Sequence, residues 1–319
     1  ITVTSKNLNE RNFLMALTSF MVYVGGLLVV VLVPILYPTV GWGITGLVIG
    51  MLCLLAMITM PFKVKERYSA PVEKEASLKE VVNCVFTNKY LLVAVLSMII
   101  GSLTDVSTTL QSYFALYCLG GTEWLTPLAL ATVLPVLLVV LFVPKLITKV
   151  DKFWAYITSR ILTIVITVAI YFAGYENVVL MIVLVALRAM VAAVWNMVGT
   201  LFIADCIEYG QYKTGIRSQG IAFSLKAFVN KLVVALAGAI GMFALSLVGY
   251  VEGGVAQSAF TVQGIWALYS LGPAVGATIA VIIMVACYKL RDADIVLMTR
   301  CNKGEITHEE CEKQLKGRY

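Results

Sequence analysis

Eight apolar runs, each long enough to cross a lipid bilayer, constrain this chain more than any other feature. They cover roughly residues 13–36, 42–62, 91–118, 123–145, 153–174, 178–204, 219–249 and 263–289. A spanning helix needs about 20 predominantly apolar residues. Lipid offers backbone N–H and C=O groups no partners, so helices are the spanning element these lengths allow. The expected fold class is therefore all-α, a polytopic membrane protein. Composition agrees: 60% of the 319 residues are hydrophobic and 13% are charged, against about 45–50% and about 25% in soluble domains. The surplus apolar surface has to face the bilayer, the one partner that composition alone identifies.

The placement of Lys and Arg orients the spans. The connections at 37–41, 119–122, 175–177 and 250–262 contain none. The alternate segments are basic: Lys6 and Arg11 at the start, then Lys63, Lys65, Arg67, Lys74, Lys79 and Lys89, then Lys145, Lys149 and Lys152, then Lys213 and Arg217, and finally the tail from Lys289 to Arg318. The alternation holds across every span. By the positive-inside rule both ends are cytoplasmic, and the location is a cell membrane, inner or plasma. The cysteines, Cys53, Cys84, Cys118, Cys206, Cys287, Cys301 and Cys311, show no paired spacing. Several fall in apolar runs as small fillers.

The longest internal polar stretch, 63–90, divides the spans into two and six. Within it Ser77 can cap a short helix, with Glu80 at the capping-box position. Leu78, Val81, Val82 and Val85 then share one face, suited either to the membrane surface or to an ordinary solvated linker. Six spans behind a basic linker resemble one half of a major-facilitator transporter, which is built from two six-helix halves. On that plan 1–62 holds the last two helices of an N-terminal half and 63–90 is the cytoplasmic middle loop. Residues 91–289 form the C-terminal half and 290–319 a cytoplasmic tail. The chain opens on Ile1, so four further spans are expected upstream.

An ionisable residue in mid-span marks a functional site by default. Lys231 lies 12 residues into the seventh run, about 18 Å deep at 1.5 Å per residue. Ser224 shares its face, Asn230 is adjacent and Gly238 permits close packing there. A hydrated cavity or a structural ion pair accounts for an ammonium at that depth. Asp105 also lies near the midplane, on a stripe with Ser97, Gly101, Thr108, Thr109 and Ser112. That stripe suits a cavity wall or a helix-packing hydrogen-bond network. Arg188 can line the same cavity, whereas Arg160 and Lys226 lie near enough to the cytoplasmic face to snorkel. Tyr113, Tyr117 and Trp195 are candidate rings for packing against a sugar, or simply core and interfacial aromatics. His308 and Cys311 are too few for a metal site. No phosphate loop, Walker motif, Rossmann pattern or nucleophile triad is present. No enzyme, ATP-driven pump or nucleic-acid binder is indicated, and no cofactor is implied.

The segment ADCIEYGQYKTGIRSQGIAFSLKAFVNK, 204–231, resembles the signature of the glycoside–pentoside–hexuronide:cation symporters, the melibiose permease-like family of the major facilitator superfamily. Ala204, Asp205, Glu208, Tyr209, Gly210, Tyr212, Lys213, Gly215, Arg217 and Lys231 match at the family's spacing. YFALYCLGG, 113–121, is similar to the end of the family's seventh helix, and NLNERNFL to the start of its fifth. The likeness covers essentially the whole chain and numbers its spans five to twelve. It implies alternating-access symport of a sugar, glycoside, pentoside or hexuronide with Na⁺ or H⁺. The transported ion takes the place of any cofactor. The family usually carries an arginine, implicated in sugar binding, where Thr18 stands here. Either the substrate differs from the usual galactosides or the alignment shifts. The family's acidic cation ligands lie on helices upstream of this chain.

The implied roles fall into three groups. Lys231, Asp105 and Arg188 form the cation-coupling and cavity set. Tyr113, Tyr117, Trp195, Ser224 and Asn230 are substrate-lining candidates. Asp205, Glu208, Tyr209, Lys213 and Arg217 belong to a cytoplasmic gate. A helix C-terminus disfavours acids, so Asp205 and Glu208 need partners: Lys213, Arg217 or the bases of 145–152. Two other functions compete: a transporter-derived sensor or non-transporting scaffold, and a lipid or drug carrier of the same fold. Acidic residues in the upstream second and fourth helices would favour the symporter.

Overall fold

The structure is a computed structural model and describes residues 8–58, 83, 85–216, 218–253 and 256–319. Among these every regular element is helical. Helix α1 (Leu8–Ile58) is two arms joined at Gly41. The glycine's φ of 74° lies in the left-handed region that side chains avoid. It falls in the expected 37–41 connection. The next span divides into α2 (Lys89–Leu103) and α3 (Ser107–Tyr117), then comes a 3₁₀ turn (Thr122–Trp124) leading into α4 (Leu125–Ile147). Helices α5 (Lys152–Ala173), α6 (Val178–Thr214), α7 (Gln219–Leu247) and α8 (Ala259–Cys287) complete the spans. Two short helices follow, α9 (Asp292–Asn302) and α10 (His308–Leu315). Seven helical segments among the described residues are long and apolar enough to cross a membrane, and Phe20–Val33 is a shorter apolar stretch. Of the short helix expected over 77–86, residues 83, 85 and 86 are described and helical, with Val85 buried in the bundle and not on a membrane surface; the rest lies outside the described residues.

Helices α5 and α6 pack along each other, and α8 lies against both α5 and α2. α7 meets α2 and α3, and the first arms of the chain reach the bundle through α4, where Tyr23 packs against Val136, Val140 and Ala193. Two apolar clusters hold the six-helix unit. One is centred on Tyr90, Tyr156, Phe202, Cys206 and Tyr288, the other on Leu110, Phe114, Val185, Trp266 and Tyr269. In the second, Phe114 stacks on Tyr269 with centroids 4.2 Å apart. Most of the remaining surface is apolar. Phe172, Val179, Val234, Phe243 and Leu247 are among the most exposed side chains, as lipid-facing or helix-facing positions must be.

Local sequence explains the ends. Asn88 caps α2: its Oδ1 accepts from Leu91 N at 3.1 Å while its Nδ2 donates to Cys206 O at 2.6 Å. Asp151 caps α5, Asn177 caps α6 and Ser258 caps α8, each through its side chain. Gly215 ends α6 in a left-handed conformation, its N–H donating to Gln211 O at 2.8 Å. At 37 residues α6 is about 55 Å long at 1.5 Å per residue. A hydrocarbon core is about 30 Å thick, so the C-terminal turns of α6 extend past it. The tail is folded and not a loose end: α9 packs on α6 and α10 on α9. Tyr319 donates to Asp294 Oδ2 at 2.6 Å, and burial, together with that carboxylate, pushes its phenol above the ordinary range.

Candidate functional site

The expected continuous third span is broken. Residues Thr104, Asp105 and Val106 are non-helical between α2 and α3, and Asp105 sits on the break. Non-helical backbone at membrane depth is tolerated only where protein buries it or a cavity hydrates it. Here protein covers the break: a Cβ on Gly272 of the last span would stand 2.6 Å from Thr104 O. A cavity of about 150 Å³ opens beside it. Gly101, Asp105, Ser107 and Thr108 line it from the broken span, Thr132 from α4, and Arg160 and Thr163 from α5. Val185, Arg188, Ala189, Ala192 and Trp195 close it from α6, and Pro273 from α8.

Arg160 does not snorkel. It is 1% exposed and among the largest fully buried side chains of the protein. The reason is the polar face it belongs to: Tyr156, Ser159, Arg160, Thr163 and Thr167 are all buried on one side of α5. Its Nε donates to Tyr156 Oη at 3.2 Å and its Nη1 to Gly101 O at 3.4 Å. Its guanidinium lies over the Trp195 ring, 3.5 Å from the centroid, a cation–π contact strengthened by desolvation. Gly101 makes room for it: a Cβ there would stand 2.8 Å from Arg160 Nη2. Arg188 is 9% exposed and approaches the Tyr269 ring at 5.8 Å. Asp105 accepts the Ser107 hydroxyl. Among the described residues neither arginine forms an ion pair with it.

Other residues singled out from the sequence lie elsewhere. Lys231, Ser224 and Asn230 are exposed and do not line this cavity. The buried positions of α7 are Ala222, Val229, Val233, Ala237, Gly241 and Leu245. At 100° per residue Lys231, Ser224 and Gly238 fall on the side opposite to Ala222, Val229, Val233 and Ala237, while Leu245 shares the face of Gly238. Lys226 reaches sideways to Thr200 Oγ1 at 2.7 Å. Tyr113 and Tyr117 belong to the second core cluster and both meet Tyr250 edge-on. Tyr117 and Tyr250 share a hydroxyl contact at 3.3 Å.

The charged residues at the end of α6 form a separate network. Lys152, first residue of α5, places Nζ 2.6 Å from Asp205 and 3.3 Å from Asp292. Its backbone N–H donates to Asp292 Oδ2 at 3.0 Å, and Asp292 N–H donates to Asp151 Oδ2 at 3.2 Å. The starts of α5 and α9 are thus tied reciprocally, with Asp205 of α6 held between them. Glu208 Oε2 accepts from Asn302 at 3.1 Å. Tyr209 meets Tyr90 edge-on at 4.8 Å, and Lys213 Nζ donates to Tyr319 O at 2.6 Å. Arg217 lies outside the described residues. Asp292 is the member sequence inspection missed. Its signal is the RDAD stretch at 291–294, acids opening a helix directly after the last span.

A multi-span helical bundle with a buried charged cavity in one half and an ion-pair network at its end has the architecture of a transporter. The comparisons agree. A family model of MFS/sugar transport proteins matches residues 1–292, and the chain belongs to that family. An uncharacterised symporter of Bacillus subtilis, YjmB, is 32% identical over 227 residues, covering 70% of this chain and 48% of the relative. Putative sulfoquinovose importers align too. That of Escherichia coli is 28% identical over 97% of this chain and 69% of its own length. That of Salmonella typhimurium is 28% identical over 80% of this chain and 54% of its own length. The chain thus spans between 48% and 69% of the length of these relatives.

The two classes of ion pair make a stability prediction. Lys152 and Asp205 have side chains only 16% and 11% exposed, so Lys152→Ala leaves a carboxylate buried without its partner. Such a loss costs about 3–5 kcal/mol. Arg300 and Glu305 are half exposed, and Arg300→Ala should cost no more than about 1 kcal/mol. Unfolding in mixed detergent should show Lys152→Ala far below wild type and Arg300→Ala close to it.

Proposed function

We propose that this chain forms the last eight of twelve spans of a sugar–cation symporter working by alternating access. The observation that carries the proposal is the buried cavity of Asp105, Arg160 and Arg188, in a chain of the sugar-transport family. Ionised groups near the bilayer midplane are costly and persist where a polar substrate or ion is handled. Relatives named as symporters and as putative sulfoquinovose importers support a sugar as the cargo and coupling to a second solute; a cation is assigned that part on the resemblance of 204–231 to the cation symporters.

Lys231 is assigned a coupling role. Its side of α7 carries Ser224, Ala227, Ala235 and Gly238, small or polar residues at helical spacing. The packed side of α7 is turned away from it. Small residues let another helix approach, so this side suits contact with the first half of the transporter better than contact with lipid. The ammonium then stands near the acidic cation site of that half. The Lys152–Asp205–Asp292 network, with Glu208, Tyr209 and Lys213 beside it, is assigned as the cytoplasmic gate. It opens when α5 and α6 move relative to α9. Arg217, four residues after Lys213, is assigned to the same gate.

Uptake of radiolabelled glycosides, pentosides and hexuronides into vesicles containing the full-length protein tests the function. At least one should accumulate only when a Na⁺ or proton gradient is imposed; no gradient-driven accumulation across the panel would overturn the proposal. In the same assay Lys231→Val should abolish accumulation while the protein still inserts in the membrane, and undiminished uptake would remove Lys231 from the mechanism. Asp205→Asn should slow turnover more than it weakens substrate binding, since its partner belongs to a gate and not to the cavity. Equal losses would argue against gating. Single cysteines at 119–122 of a cysteine-free protein should react with impermeant thiol reagents from outside, and those at 63–90 should not. Labelling of 63–90 from outside would reverse the orientation.

A further inference from the structure

We infer that the cavity between α2, α5 and α6 is an oxyanion subsite, and that the substrate carries one negative charge, as a carboxylate or sulfonate, docked on Arg160, Arg188 and Trp195. This deepens the transport proposal above and rests on it for the word substrate. The geometry of the subsite does not.

Three nitrogen donors on residues that line this cavity are buried and have no hydrogen-bond partner: Arg160 Nη2, Arg188 Nη1 and Trp195 Nε1. All three side chains line the same space. Arg160 and Arg188 are more than nine-tenths buried. A buried donor left unmade carries its full desolvation penalty, larger still for a charged group. Native proteins leave few such groups, and a cluster of them calls for a ligand. Arg160 is already partly used, capping the broken helix through Gly101 O and touching Tyr156 through Nε. Its Nη2 is left over from that structural role. Arg188 makes no hydrogen bond or ion pair among the described residues.

Charge gives the sign and the number. Two guanidinium groups and one carboxylate, Asp105, line the cavity, leaving one positive charge in excess. A low dielectric makes that excess expensive until an anion neutralises it, and it repels Na⁺ from Asp105. A single carboxylate or sulfonate restores neutrality, and a phosphate dianion overshoots it. Planar guanidinium groups match either oxyanion through paired N–H bonds. The cavity of about 150 Å³ admits such a group with the part of a sugar that bears it. The Trp195 ring, already fixed under Arg160, lines the same space, and its buried N–H has no partner.

Purified full-length protein in detergent, at fixed NaCl, is titrated with sodium acetate and sodium methanesulfonate against their neutral counterparts, acetamide and dimethyl sulfone. Thermal midpoint and tryptophan fluorescence are followed. The two anions should stabilise the wild type and change its fluorescence, and the neutral molecules should not. Arg188→Gln should weaken anion binding at least about tenfold, the equivalent of one lost charge-assisted bond. Arg188→Lys should lie between the two. If Arg188→Gln fails to fold, Arg188→Lys and Gly101→Ala, which drives a methyl group against Arg160 Nη2, carry the test. Equal effects of acetate and acetamide, or variants that bind the anions as wild type does, would overturn the subsite.

Uptake then separates the two claims. Hexuronates, hexose 6-sulfonates and the parent neutral hexoses are compared, and the preferred acid identifies the oxyanion. Anion binding without uptake of any sugar would sink the sugar-transport proposal and leave the subsite standing. Uptake of a neutral sugar, undiminished by Arg188→Gln, would sink the subsite alone.

Discussion

Backbone that is not helical cannot be left in hydrocarbon, and residues 104–106 are such a stretch in mid-bundle. Much of the six-helix unit is arranged to satisfy it. The last carbonyls of α2 lack intrahelical partners, and Arg160 of α5 donates to one of them, Gly101 O. A cation there also opposes the negative end of the helix dipole. From the other side α8 comes close enough to cover the break because it carries glycine where contact occurs. A Cβ on Gly272 would lie 2.6 Å from Thr104 O, and one on Gly276 would lie 2.9 Å from Gly101 O. Substituting either would push α8 away from backbone that lipid cannot solvate. The break, the buried arginine and the small residues of α8 therefore form one device shared by three helices.

That device explains what the sequence discloses and what it hides. Span positions are legible because apolar length is a one-dimensional property, and the seven membrane-length segments overlay seven of the expected runs. Of the polar stripe, Gly101, Asp105 and Thr108 line the cavity, while Ser97 bonds Tyr156 and Ala280 O between helices. The break within it is not legible, since Thr-Asp-Val contains no Pro or Gly to announce a non-helical turn. Its cause lies on α5 and α8, far away in sequence. Arg160 was hidden for a related reason. Distance from a helix end allows snorkelling, yet the face shared with Tyr156, Ser159, Thr163 and Thr167 turns the side chain inward. Sidedness, and not depth, was the informative quantity. At the end of α6 the acids needed basic partners on physical grounds, but choosing Lys152 over Lys213 required the start of α5 in three dimensions.

The same two helices carry both charged centres, and this gives the transport proposal its mechanical content. Arg160 and Lys152 are eight residues apart on α5, about 12 Å along the axis. Arg188 and Asp205 are seventeen apart on α6, about 25 Å along it. The helices pack against each other, and packed helices move as units or slide in discrete steps, not by local bending. An anion bridging Arg160 and Arg188 pulls α5 toward α6 at the cavity. The Lys152–Asp205 pair holds them at the far end while Asp292 holds the start of α5 to the tail. Any tilt of α5 against α6 that tightens the first contact changes the geometry of the second. A ligand shifts such an equilibrium only by its differential affinity for the two states. The unpaired donors Arg160 Nη2 and Arg188 Nη1 are a source of that difference under the anion proposal, because their desolvation penalty is relieved only in the state where both reach the anion.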